Sequence, residues 1–341
     1  MTSLSKETIQ SARKKGFWIV LLSILVICCA IFALGQLQIL SIDINAIVKQ
    51  MSWGPFLLSW IAMSCAFFFM GIRWSALLSC VPSPPKLELT ALICAGLLLN
   101  YAAPGPVGEL GAAWFAHRRY KISFGEALAA GVTARLIGLI TACFLGAISW
   151  IFFSLPVEDK YLPMLKISVI ASGFGGLALS WLAFFPVQFQ SFVTTSTASS
   201  NRIWNKVRKM LEDIAHSVDQ VSSLGPKAFL SCVLWSTCAH GSVILGIIFT
   251  AEALGSSYLL EGIIFTYALT TAAAVLLFAL PGSYLGWDAL FFGLLIGTAG
   301  VSTSNALTIA AIIRLQQFVF MLFGGISLSW LLRTTDQSES N

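Results

Sequence analysis

Long apolar runs separated by short polar breaks fill nearly the whole chain. Six of them, Phe17 to Leu37, Gly54 to Ile72, Ala127 to Leu155, Met164 to Phe185, Phe229 to Thr250 and Ala306 to Leu332, approach or exceed the roughly 20 residues a helix needs to cross a hydrocarbon core. Helices rather than a barrel are expected to carry the chain across.

Two further apolar stretches are interrupted. The first has arms from Leu89 to Ala103 and from Pro106 to Phe115, broken by Pro104, Gly105, Pro106 and Gly108 and followed by Glu109. The second has arms from Leu259 to Leu280 and from Phe291 to Gly300, broken by "PGSYLGWDALF", which holds Pro281, Gly282, Gly286 and Asp288. The arms of the first are too short for two full crossings, so re-entrant helical hairpins are expected.

Composition sharpens this picture. Of 341 residues, 57% are hydrophobic and only 10% charged, and the mean hydropathy is +0.85; a water-soluble globule could not present a polar surface with so little charge. The net charge of +5 follows orientation rather than nucleic acid. Arg73, Lys86, Arg118 and Arg119 lie in short breaks on one side, with the basic N-terminal segment and Arg333, which places both termini in the cytoplasm. The first run is too long for a secretory signal and reads as a retained helix. Eight cysteines are scattered without metal-ligand spacing, so no metal is expected. No G-K-[ST] follows Gly108, so the glycines are not a nucleotide loop, and no cofactor is expected. The polar segment 187–225 reads as a cytoplasmic linker with an amphipathic helix over Arg202 to Val221, lying on the membrane interface or packed on other protein loops.

The two interrupted regions are related. Glu109 precedes Arg135 by 26 residues and Asp288 precedes Arg314 by the same number, so one offset of 179, from 135 to 314, superposes acids and arginines together. The same offset aligns "EALAAGVTARLIGLITACFLG" with "NALTIAAIIRLQQFVFMLFGG". The expected fold is an all-α polytopic membrane protein with an inverted-topology repeat, 17–155 and 164–333, each half holding three transmembrane helices and one re-entrant hairpin. Three crossings per half is an odd number, so the second half is inverted, as in many secondary transporters.

Charge inside a bilayer costs roughly 2.5 to 3.5 kcal/mol per residue unless it is paired or wet. Glu109, Arg135, Asp288 and Arg314 are therefore candidates for the lining of a translocation cavity, with static ion pairing as the alternative. Half-helices starting after each Pro/Gly break would aim free N–H groups at an anion. Gly105, Gly108, Gly282 and Gly286 would permit close approach there, while Glu109 and Asp288 also read as helix-capping acids. Asn100 and Tyr101 are candidate headgroup ligands. His117, Arg118 and Arg119 would stand at a cytoplasmic mouth. His240 reads as a hydrogen-bonded buried histidine or as a proton-transfer group.

The segments "NYAAPGPVGELGAAWFAHRRY" and "SFGEALAAGVTARL", with "LPGSYLGWDAL" and "ALTIAAIIRL" later, resemble the lysylphosphatidylglycerol synthase transmembrane (flippase-like) family over nearly the whole chain. Ala112, Ala134, Gly138 and Trp287 depart from it, standing where the family commonly has Arg, an acid, Asp and Arg. The resemblance implies a polytopic lipid-translocating domain; with the arginines and the inverted repeat, the expected function is a flippase or transporter that moves an anionic lipid, a phospholipid or a polyprenyl-phosphate-linked one, across a prokaryotic cytoplasmic membrane by alternating access. It implies a membrane lipid as substrate, and a separate lipid-modifying enzyme as partner, since the longest polar segment leaves no room for a soluble synthase domain. A membrane-embedded transferase and a non-transporting partner subunit are the rival readings.

Overall fold

The computed structural model describes residues 49–78, 83–102, 107–152, 161–195, 224–277 and 283–338, with isolated positions in 154–159 and 205–221. The apolar run Phe17 to Leu37, the breaks at Pro104 to Pro106, and Pro281 with Gly282 lie outside the described residues, and with them the candidate glycines Gly105 and Gly282.

The elements in chain order are α1 (Trp53–Ser75), α2 (Lys86–Ala102), α3 (Val107–Tyr120), α4 (Phe124–Phe152), α5 (Leu162–Phe184), α6 (Pro186–Thr195), α7 (Pro226–Ala253), α8 (Leu260–Leu277), α9 (Ser283–Ala299) and α10 (Thr303–Ser338). Helices α1, α4, α5, α7 and α10 each contain a stretch long and apolar enough to cross a membrane, matching five of the six uninterrupted runs. The protein is an integral membrane protein. Helices α2, α3, α8 and α9 hold the arms of the interrupted regions. α3 continues to Tyr120, beyond the expected end at Phe115, because "HRRY" extends it past the apolar stretch.

Local chemistry fixes the helix starts. Pro163 and Pro226 occupy first-turn positions of α5 and α7, where a missing N–H costs nothing. Between α3 and α4, Lys121 takes a left-handed backbone (φ 58°), and between α9 and α10 Gly300 does the same (φ 67°). Two residues later a serine caps each following helix: Ser123 Oγ accepts the Glu126 N–H at 3.1 Å, and Ser302 Oγ accepts the Asn305 N–H at 3.4 Å.

α1 lies along α7, burying Met63 and Ala66 against Val243 and Ile247. α2 packs on α3 and α10, and α8 packs on α9 and α4. The α2–α3 contact is backbone to backbone: a Cβ on Gly108 would run into the Gly96 carbonyl, so only glycine permits this approach. α5 lies at the periphery, and its exposed Ile167, Ile170, Phe174 and Leu177 form the kind of apolar surface that suits lipid. In the segment 205–221 the described positions are helical, and Ala215 and Val218 are buried with Leu136, Ile140 and Leu182. Its apolar face thus packs on α4 and α5.

Candidate functional site

Glu109 stands in the first turn of α3 and Arg135 near the middle of α4, and the two form an ion pair through Oε1 and Nη1. Asn100, near the end of α2, ties this pair to the neighbouring helix. Its Nδ2 donates to the two Glu109 carboxylate oxygens at 3.3 and 3.2 Å, and its Oδ1 accepts the Gly108 N–H at 2.6 Å. One side chain therefore satisfies an N-terminal N–H of α3 and holds the acid that follows it.

Asp288 and Arg314 repeat the 26-residue spacing on α9 and α10. Arg314 donates to Asp288 Oδ1 from Nε at 3.0 Å and from Nη2, and to Gln317 Oε1 from Nη1 at 2.8 Å. Its guanidinium lies 4.9 Å from the centre of the Trp287 ring, which stacks on Phe291.

Neither pair is sealed. The side chains of Arg135 and Glu109 are 42% and 17% exposed, and those of Arg314 and Asp288 are 24% and 32% exposed. Four ionisable groups among apolar helices, each partly accessible, can contact a polar ligand while keeping an internal partner.

A family model for the lysylphosphatidylglycerol synthase TM region matches residues 18–325, a span that contains both ion pairs. The chain belongs to this family. Neither the curated proteins nor the solved structures include a match to it.

Within this family member the expected site residues separate into three groups. Glu109, Arg135, Asn100 and Gly108 come together, and Asp288 joins Arg314. Asp288 lies in the second turn of α9, because the helix starts by Ser283 rather than after Gly286; Gly286 is itself helical. The capping role expected of Asp288 therefore does not apply, while Glu109 keeps a first-turn position. His117, Arg118 and Arg119 sit at the opposite end of α3, about 12 Å along the helix from Glu109. There the His117 ring meets the Ile122 carbonyl at 2.6 Å, Arg118 lies over Trp114, and Arg119 pairs with Glu88. Of Tyr101 only the helical backbone is described.

In a further polar cluster, sequence reasoning singled out His240 but not the arginine that stands beside it. His240, midway along α7, has both ring nitrogens engaged: Nε2 with the Gly138 carbonyl and Nδ1 with the Tyr267 hydroxyl, each at 2.7 Å. A carbonyl only accepts, so Nε2 carries the proton, and a neutral ring satisfies both bonds by accepting the Tyr267 hydroxyl proton at Nδ1. This favours the buried-histidine reading. Beside it, Arg73 in the last turn of α1 sends its guanidinium into the bundle, where Nη1 donates to Ser236 Oγ at 3.3 Å. The available signal was Gly138, which stands where the resembled family commonly has Asp.

Proposed function

We propose that the protein is a lipid transporter of the flippase type, without its own ATPase, which moves an anionic lipid across the bilayer by alternating access between two inverted repeats. The observation that carries this reading is the presence of two acid–arginine pairs at one sequence spacing, partly accessible and embedded among membrane-spanning helices. Family membership supports a lipid-related role.

The repeat is supported by correspondences at the offset of 179, from 135 to 314. It relates left-handed Lys121 to Gly300, capping Ser123 to Ser302, and the start of α4 at Phe124 to that of α10 at Thr303. Packing partners also exchange: α2 on α10 answers α8 on α4, and α1 lies against its own counterpart α7. Such exchange is what a pseudo-two-fold axis between halves requires. In this reading α2–α3 and α8–α9 are re-entrant hairpins entering from opposite faces, the termini are cytoplasmic, and the membrane is a prokaryotic inner membrane. Glu109 and Asp288 hold the two arginines until a lipid phosphate competes for them.

The purified protein reconstituted in liposomes with fluorescent phosphatidylglycerol tests this reading. Transbilayer movement with the headgroup intact by mass spectrometry is expected. Headgroup transfer would instead indicate a membrane-embedded transferase, and neither movement nor transfer would indicate a non-transporting subunit.

A further inference from the structure

The intramembrane arginines differ in one respect. Arg135 and Arg314 each carry a carboxylate, whereas no described carboxylate is paired with Arg73. Among the described residues Arg73 has one hydrogen bond, from Nη1 to the neutral Ser236 hydroxyl, and its buried Nε has no described partner. The nearby Gly138 carbonyl and Tyr267 hydroxyl both engage the His240 ring, and neither has a described hydrogen bond to Arg73.

Its depth makes an unshared charge costly. The guanidinium reaches Gly138, midway along α4 (Phe124–Phe152) and roughly 20 Å from either end at the helical rise. A guanidinium stays ionised in proteins. Buried charges are paired or coordinated, so a guanidinium at this depth without a described counter-ion is suited to an anion. The unused edge, Nε with Nη2, is the fork that grips two oxygens of a phosphate. Gly138 is needed for the arrangement, because a Cβ there would meet Arg73 Nη1. Arg135 lies one turn along α4 from Gly138, so an anion at Arg73 would stand beside the Glu109–Arg135 pair.

We propose that Arg73, seated against Gly138 in the middle of the bundle, is a phosphate-binding residue that receives the phosphate of an anionic lipid headgroup. This deepens the transport reading and rests on it for the lipid source. The binding chemistry itself is shared by free phosphate.

The test is equilibrium binding to the purified full chain in uncharged detergent, read as a thermal-unfolding shift during titration with short-chain phosphatidylglycerol, matched diacylglycerol or inorganic phosphate. Phosphatidylglycerol is expected to stabilise the wild type and diacylglycerol not to. Arg73→Gln is expected to weaken phosphatidylglycerol binding by about tenfold or more, the usual effect of losing a charged hydrogen bond. Gly138→Ala is expected to do the same by putting a methyl where Arg73 Nη1 sits and so displacing the guanidinium from its seat, and it serves if Arg73→Gln does not fold. Inorganic phosphate giving an equal, Arg73-dependent shift would support the site and assign it a soluble ligand. Phosphatidylglycerol binding unchanged in both variants would overturn the proposal. Transport is not measured, so failure of this site and failure of the transport reading remain distinguishable.

Discussion

In the first half of the molecule the carboxylate of Glu109 is held from the adjacent helix, by Asn100 of α2, and the Gly108 N–H beside it is held by the same side chain. In the second half Asp288 is gripped by two nitrogens of Arg314, and the arginine is placed by Gln317 and the Trp287 ring. The same acid–arginine spacing is thus supported by helix-to-helix hydrogen bonding in one case and by aromatic stacking in the other. Trp287 stands, at the common offset, where the first half has Gly108. Glycine draws α3 onto α2, while the indole fills that position with a surface for the guanidinium. The spacing is what the halves share, and the supports are free to differ, as expected if function needs the pairs and folding needs only that each be held.

The largest expected effect tests what the halves share. Glu109→Gln and Asp288→Asn each strip a guanidinium of its counter-ion, and loss of one partner of a hydrogen-bonded charge pair costs about 2 kcal/mol or more. Both should lower the rate of lipid movement in liposomes by at least about tenfold. A loss confined to one variant would make the other pair structural.

Next in size is the close approach specific to the first half. Gly108→Ala places a methyl against the Gly96 carbonyl and should destabilise the protein by about 1–3 kcal/mol in thermal unfolding. Gly293→Ala, in α9 with no neighbour near its Cβ position, should instead be neutral or stabilise by up to about 1 kcal/mol. Asn100→Leu should cost about 1–3 kcal/mol, because Gly108 N–H and Glu109 lose a partner together, and nothing in the second half should respond. The smallest effect belongs to Trp287→Leu. A double-mutant cycle with Arg314→Met should give a coupling of about 0.5–2 kcal/mol for the cation–π contact, and a coupling near zero would remove the aromatic support.

Much of this was legible in the sequence for definable reasons. Long apolar runs gave five of the spanning helices because hydrocarbon thickness dictates their length. The four charged residues were legible because charge in an apolar helix stands out, whereas which acid meets which arginine, within a half or across halves, was left open until the helices were placed. Asp288 was assigned to a first turn because Gly286 read as part of the break, whereas a glycine four residues into α9 is simply helical. Arg73 was hidden by its position next to a polar break, where positive charge usually marks orientation. Only the bundle reveals that its side chain turns inward to Ser236 and Gly138. Asn100 was singled out, yet its bonds to Glu109 and Gly108 depend on how α2 and α3 meet, which composition does not encode.

Transbilayer movement of fluorescent phosphatidylglycerol, in liposomes holding wild-type protein, Arg314→Ala protein or no protein, bears most directly on the transporter reading. Movement that depends on the wild-type protein and is lost in a folded Arg314→Ala variant is the predicted result. Equal movement in all three preparations, or undiminished movement in the variant, would contradict it.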